Sequence, residues 1–274
     1  MRLLIATVLL SVGAHAQWVG YKVAGVPRMS DGKPNLTAPV PRVNGKPDLS
    51  GIWIPIPAKI GEAVGLVPVE ADLAVPGDDA RQMSRYFFST LADYKMEDIM
   101  TPAGIQKWQS GGRPTPACTT DSPPMMGVIP APQRWVQTPQ LVAILSEGSL
   151  PRLVHMDGRP LPVDPQPAYL GYSVGRWDHD TLVVETIGIK EHAPLDAFGH
   201  PRTSSARLTE RFRRLDYGHL EVRVTIEDPA YYKKPVSYQY SEILTPDDDF
   251  LEYVCAENER DAEHLRQIPL PTEK

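Results

Sequence analysis

From residue 134 to the C-terminal region the chain alternates apolar and polar positions with the two-residue period of a β-strand. The clearest case is HLEVRVTIE, where Leu220, Val222, Val224 and Ile226 share one face while Glu221, Arg223, Thr225 and Glu227 share the other. Similar runs are RWVQ and LVAILS around Thr138-Pro139-Gln140, RLVH before Asp157-Gly158, and SVGRWD and TLVVETIG around Asp178-His179. ARLTERFRR leads into a turn at Asp216-Tyr217-Gly218, and VSYQYSEILT and FLEYVC flank a turn at residues 246–249. About nine strands joined mostly by short turns predict an antiparallel meander, and a meander of that length removes its edges by closing into a β-barrel.

Upstream the pattern is different. In DDARQMSRYFFSTLADY, Met83, Phe87, Leu91 and Tyr94 recur at helical spacing, with Asp78 or Asp79 able to cap. A second short helix is predicted at TPAGIQKW, capped by Thr101 with Pro102 in its first position, so the barrel carries a helical insertion at about 78–108. Prolines, 29 in all, gather outside these segments and exclude long helices there. DGKPNLT at Asp31 and NGKPDLS at Asn44 say nearly the same thing twice, each coupling a turn pair to an extended X-Pro. The first copy reads as part of an extended arm, residues 17–46, lying outside a single domain that spans 47–274.

With 42% hydrophobic residues in 274, the chain can fill a core. MRLLIATVLLSVGAHA has the basic start, apolar run and small-residue ending of a signal peptide cut after Ala16, which predicts a periplasmic or secreted protein. That apolar run is too short to span a bilayer, and none of the later ones is longer. Without Arg2, 27 basic residues face 34 acidic ones, a balance unsuited to nucleic acid. Cys118 and Cys255 suit one disulfide in an oxidising compartment, the alternative of a zinc pair lacking the usual spacing.

Gly51-Ile52-Trp53 follows the second repeat, and a G-x-W entering the first strand resembles the calycin group, lipocalins and fatty-acid-binding proteins, in which the Trp closes the barrel floor under an Arg from a late strand. PDLSGIW, MDGRP at Met156, SVGRWDHDTLVVET at Ser173, ERFRR at Glu210, IEDP at Ile226 and EYVCAEN at Glu252 together resemble a family of secreted bacterial proteins common in acidobacterial and sphingomonad genomes. That resemblance covers most of the chain and implies little about activity. The usual Asp-Gly hairpin of that family is Asp178-His179 here, and a His-Ser pair after Gly-His-Pro is Arg202-Thr203.

Candidate chemistry sits at a few positions. His155 beside Asp157 and Arg159 suits proton transfer at a barrel mouth, with a turn-capping histidine as the plainer alternative. His192, Asp196 and His200 recur every four residues in KEHAPLDAFGHP, but Pro194 and Gly199 interrupt the helical spacing of a metal motif. The plainer reading is a surface loop whose Asp and His make turn hydrogen bonds, and the alternative is a lid over the barrel mouth that supplies Asp196 or His200 to a bound molecule. Glu210 lies between Leu208 and Phe212 on one strand face, with Arg211 on the other, and is either an acid or base or one half of an ion pair. Trp135, Tyr172, Tyr238 and Tyr240 are candidate pocket walls, and Asp247 to Asp249 a solvated turn. No GxSxG, P-loop, HExxH or GxGxxG occurs in a fitting context. The leading expectation is a secreted lyase, isomerase or hydratase that uses acid–base chemistry, without a cofactor or metal, on a small apolar or aromatic molecule. The alternative is a lipocalin-like carrier of such a ligand.

Overall fold

In the computed structural model the described residues are 21–55, 89–91, 93–111, 120–129, 131–147, 149–196 and 198–251. A small hairpin, β1 (Arg42–Val43) with β2 (Lys46–Pro47), precedes nine strands: β3 (Gly51–Pro55), β4 (Gln133–Gln137), β5 (Leu141–Ser146), β6 (Arg152–His155), β7 (Tyr172–Asp178), β8 (Thr181–Ile187), β9 (Arg207–Arg214), β10 (His219–Glu227) and β11 (Val236–Leu244). These nine close into one barrel in chain order, β11 returning to β3 through Glu242–Pro55, Ile243–Ile54 and Leu244–Trp53. The expected barrel is therefore present, with one correction to its all-antiparallel form. β6 and β7 run parallel. A ring whose neighbours are all antiparallel needs an even number of strands, so nine require one parallel contact. It falls where the connection, residues 156–171, is long and rich in proline, as a parallel crossover demands.

The alternation read from sequence places the core. Leu220, Val222, Val224 and Ile226 of β10 all point inward, meeting Leu208 and Phe212 of β9, Leu182 and Val184 of β8, and Val236, Tyr238 and Tyr240 of β11. Arg211 and Arg213 face outward as the same alternation requires.

One end of the barrel, where β3 begins and β11 finishes, is sealed by Leu49, Trp53 and Arg214. Gly51 has φ +135°, a conformation an L side chain rarely adopts, and a Cβ there would strike Leu244. This glycine turns the chain into β3 so that Trp53 points into the core and donates through Nε1 to the Leu49 carbonyl at 2.9 Å. The guanidinium of Arg214 lies 4.9 Å from the Trp53 ring centre and donates to the carbonyls of Asp48, Asp216 and Tyr217.

The arm over this end resolves the repeat. Both copies begin Val-Pro-Arg, and both fold alike. In the first, Asn35 N donates to Pro27 O, Arg28 Nη1 to Gly32 O, and Thr37 N to Asn35 Oδ1. In the second, Asp48 N donates to Pro41 O, Arg42 Nη1 to Gly45 O, and Ser50 N to Asp48 Oδ1. Each copy is thus a small hairpin followed by an Asx turn. Its arginine clamps a barrel aspartate through both guanidinium nitrogens, Arg28 on Asp247 and Arg42 on Asp180. Leu36 fits against Gly218 of the β9–β10 turn, and Leu49 is fully buried.

At the opposite end α1 (Met96–Ile99) and α2 (Pro102–Gly111) fold over the loops after β8 and β10. Thr101 Oγ1 accepts from Gly104 N at 3.1 Å, the expected cap of α2. Gly104 lies on the carbonyl of Tyr231 with no room for a Cβ. Most of the helix expected over 78–94, the signal peptide and both cysteines lie outside the described residues, as does most of the FLEYVC strand. No helix among the described residues is long and apolar enough to cross a membrane.

Candidate functional site

The six residues expected to carry chemistry lie in three places. His155 and Asp157 stand at the arm end. Because Arg152 and Val154 of β6 point inward, His155 points outward, not into a mouth; its ring packs on Tyr172, 5.1 Å between centres, which likewise faces out. Asp157 is bound by Arg159, which also donates to the Tyr172 hydroxyl, and this guanidinium draws the Asp157 carboxyl down to about 2. Arg211 is outside, paired with Asp178 at 2.7 Å. Glu210 is inside. Asp196 and His200 are together at the capped end.

The Asp196–His200 pair is built by the β8–β9 loop. The 3.2–3.4 Å rise of extended chain would carry Asp196 and His200 far apart, but the loop folds back, Leu195 N donating to His200 O at 2.9 Å. Pro194 and Gly199, which break the helical spacing, permit that fold. Asp196 then accepts from Thr90 N and Oγ1, Phe198 N and His200 N, and meets His200 Nδ1 at 2.7 Å. A carboxylate offers acceptors only, so Nδ1 donates, and in the neutral ring Nε2 then keeps its lone pair. His200 is 2% exposed, yet its Nε2 has no hydrogen-bond partner. Trp108 of α2 covers the ring at 4.7 Å, fixed by its own Nε1 bond to Phe198 O, and Phe198 meets the ring edge-on. An orphaned imidazole nitrogen, oriented by a carboxylate and walled by aromatics, is the geometry of a general base. His192 is exposed against Tyr169 and does not join the pair.

Two residues on, Arg202 is buried and held by Ser122 Oγ and the Pro123 carbonyl, leaving its Nε without a partner. Burial pushes this guanidinium down to about 9, still charged at neutral pH. Thr203 docks on Asp228 through both its N–H and its hydroxyl. Tyr232, buried and bonded to Pro201 O, fills the space between, and burial raises its hydroxyl pKa.

Inside the barrel, Glu210 forms a bidentate pair with Arg152, reaching across from β9 to β6. Arg152 also contacts Ser173 and Thr186, so the pair is closed on itself and Glu210 is a structural partner and not a free acid. The same chamber holds Glu242, one position past Tyr240 in the β11 alternation and missed by reading ERFRR alone. It is 1% exposed and neither carboxyl oxygen has a hydrogen-bond partner. Burial, and then the charge of Glu210, raise it to about 8; the Tyr240 hydroxyl is near enough to oppose this slightly without bonding to it. Trp135 and Ser146 add a buried indole N–H and hydroxyl that likewise lack partners. Trp135 stacks edge-on against Phe212 at 4.9 Å, and Tyr238 stacks on Tyr240. Glu242 and Arg152 were legible from the alternation of VSYQYSEIL and RLVH; what hid them is that both runs read equally well as ordinary core strands.

A groove of about 380 Å³ among the described residues lies elsewhere, outside the wall, between Tyr21, Val23, Arg134 and Asp247 to Asp249. Arg28 and Arg134 already engage Asp247 and Asp249, and the groove contains neither the histidine pair nor Glu242. Fold and buried groups together define a closed nine-stranded barrel with a capped end and an oriented histidine. The chain matches no protein-family model, no curated protein and no solved structure.

Proposed function

We propose that the protein is an exported small-molecule enzyme of acid–base type, a lyase, isomerase or hydratase, with His200 as its base. The observation that carries this reading is the buried Nε2 of His200, oriented by Asp196 and left without a partner. Nε2 takes a proton from carbon or from water, and Asp196 stabilises the imidazolium that forms. The same nitrogen returns the proton to another substrate atom or to a leaving group. Trp108 and Phe198 favour an apolar or aromatic substrate. Export agrees with the N-terminal sequence, and the Trp53–Arg214 contact at the barrel end supports the calycin likeness.

The Cys118–Cys255 disulfide belongs to the same reading. Thr120 accepts from Leu150 N, and Leu251 N donates to Glu147, so the chain on both sides of the proposed bridge anchors on the β5–β6 loop. Mass mapping without reduction is expected to find the linked peptides.

For the activity, protein exported to a periplasm is denatured and the released small molecules are identified by mass spectrometry, then offered back as substrates. His200→Gln and Asp196→Asn are expected to lower turnover by about 10²–10⁴ without loss of fold. Wild-type rates in both would remove His200 from the chemistry.

A further inference from the structure

We infer that the barrel interior is a binding site for an uncharged molecule bearing oxygen acceptors, a ketone or lactone, held by the side chains of Glu242, Trp135 and Ser146. This stands on its own observations and not on His200. Three polar side chains, each at least 95% buried, turn into the barrel interior with no hydrogen-bond partner. Native interiors rarely leave such groups unmet, and three in one place mark a position where something else supplies the hydrogen bonds. The three are linked through the barrel interior: Trp135 contacts Phe212, Phe212 is level with Tyr240 through Val222, and Glu242 follows Tyr240 on the same face of β11. Ser146 lies beside Trp135, diagonal to it across the β4–β5 pair.

The chemistry of the three groups selects the ligand. An indole N–H only donates, a hydroxyl donates one hydrogen, and a carboxyl in its acid form donates one and accepts. Three donors that none of the neighbouring oxygens satisfies call for further oxygen lone pairs. An anion is disfavoured, because the charged groups that face Glu242 are Glu210 and Arg152, and Arg152 is already committed to Glu210 at both ends of its fork. Tyr240, the other titratable neighbour named by the geometry, is held neutral, burial raising its hydroxyl well above the usual tyrosine range. A cation would require Glu242 ionised and would leave the Trp135 N–H unmet. An apolar body suits the remaining walls, Phe212, Tyr238 and Tyr240.

The test uses the full chain and two matched sets of probes, neutral aryl ketones and lactones of one or two rings, and primary aryl amines of the same size. Thermal shift is followed at about pH 6 and about pH 9. Ketones or lactones are expected to raise Tm at the lower pH in the wild type and in Glu242→Gln, whose amide keeps a donor and an acceptor. The wild-type shift is expected to shrink at the higher pH, while that of Glu242→Gln does not. Trp135→Phe and Ser146→Ala, which leave the fold's packing nearly intact, should each weaken binding by about tenfold. His200→Gln should leave binding unchanged, which separates this site from the proposed base. Stabilisation by amines that is lost in Glu242→Gln would overturn the assignment in favour of a cation site. No shift with any ketone or lactone would overturn it in favour of bound water alone.

Discussion

Glu242 shows how one residue can set the pH response of the whole chain. The unfolded chain titrates this carboxyl near 4.5, and the folded barrel holds it at about 8. Between those values the folded state keeps a proton that the unfolded state has released. Stability from this group is therefore complete below pH 4.5 and is lost as pH climbs to about 8. Each pKa unit is worth more than ~1 kcal/mol, so the fall is on the order of several kcal/mol. Asp178, Asp180 and Asp247, held low by Arg211, Arg42 and Arg28, act in the opposite sense, losing their contribution as pH falls through their folded values, so the two windows do not overlap. Urea unfolding between about pH 5 and 8 should give a declining stability in the wild type and a nearly flat one in Glu242→Gln. An equal slope in the variant would mean that another group titrates.

Among the elements, the arm carries the clearest lesson about repeats. A turn pair followed by X-Pro was legible as a bend and a straight piece, but the hairpin that each copy makes was not. The reason is that the hairpin also depends on Arg28 and Arg42, which precede the repeated phrase and reach forward to the carbonyls of Gly32 and Gly45. Duplicate structure implies separable behaviour, because the two clamps engage different aspartates on different parts of the barrel and share no partner. Arg28→Ala should speed hydrogen exchange at Asn35 N, which bonds to Pro27 O, and leave Asp48 N protected; Arg42→Ala should do the reverse. Barrel amides such as Val222 should not change in either. If both variants release both amides together, the arm is one cooperative unit and the duplication has no independent mechanical meaning. The strands were readable for the opposite reason: Leu220 to Ile226 face a single core, so local alternation and global burial agree. The turn at Asp178-His179 shows the limit, since His179 adopts φ +54°, where the glycine of the resembling family would be at ease.

At the scale of the whole molecule, closure with nine strands forces a parallel contact between β6 and β7, the shortest-paired seam of the ring, with Val154–Ser173 and His155–Val174 as its register. Alternation cannot reveal this seam, because β6 and β7 carry the same inward and outward pattern whichever way they run. Nor can it show which inward polar residues meet, and so Glu210 read as a possible acid when it is in fact bound by Arg152 of β6. That pair bridges the seam from inside: Arg152 on β6 contacts Ser173 on β7, Thr186 on β8 and Glu210 on β9, tying four consecutive strands through one guanidinium. Both side chains are 3% exposed, so removing one partner leaves an uncompensated buried charge. Glu210→Gln or Arg152→Met alone should cost about 3–5 kcal/mol in denaturant unfolding, whereas Arg152→Met with Glu210→Leu should cost much less, since neither charge is then stranded. The decisive readout is hydrogen exchange in the double variant. If the pair specifies the seam and does not merely fill the core, amides of β6 and β7 should lose protection while those of β10 and β11, paired antiparallel over most of their length, keep theirs. Uniform protection in the double variant would show that chain connectivity alone is enough to register the parallel strands.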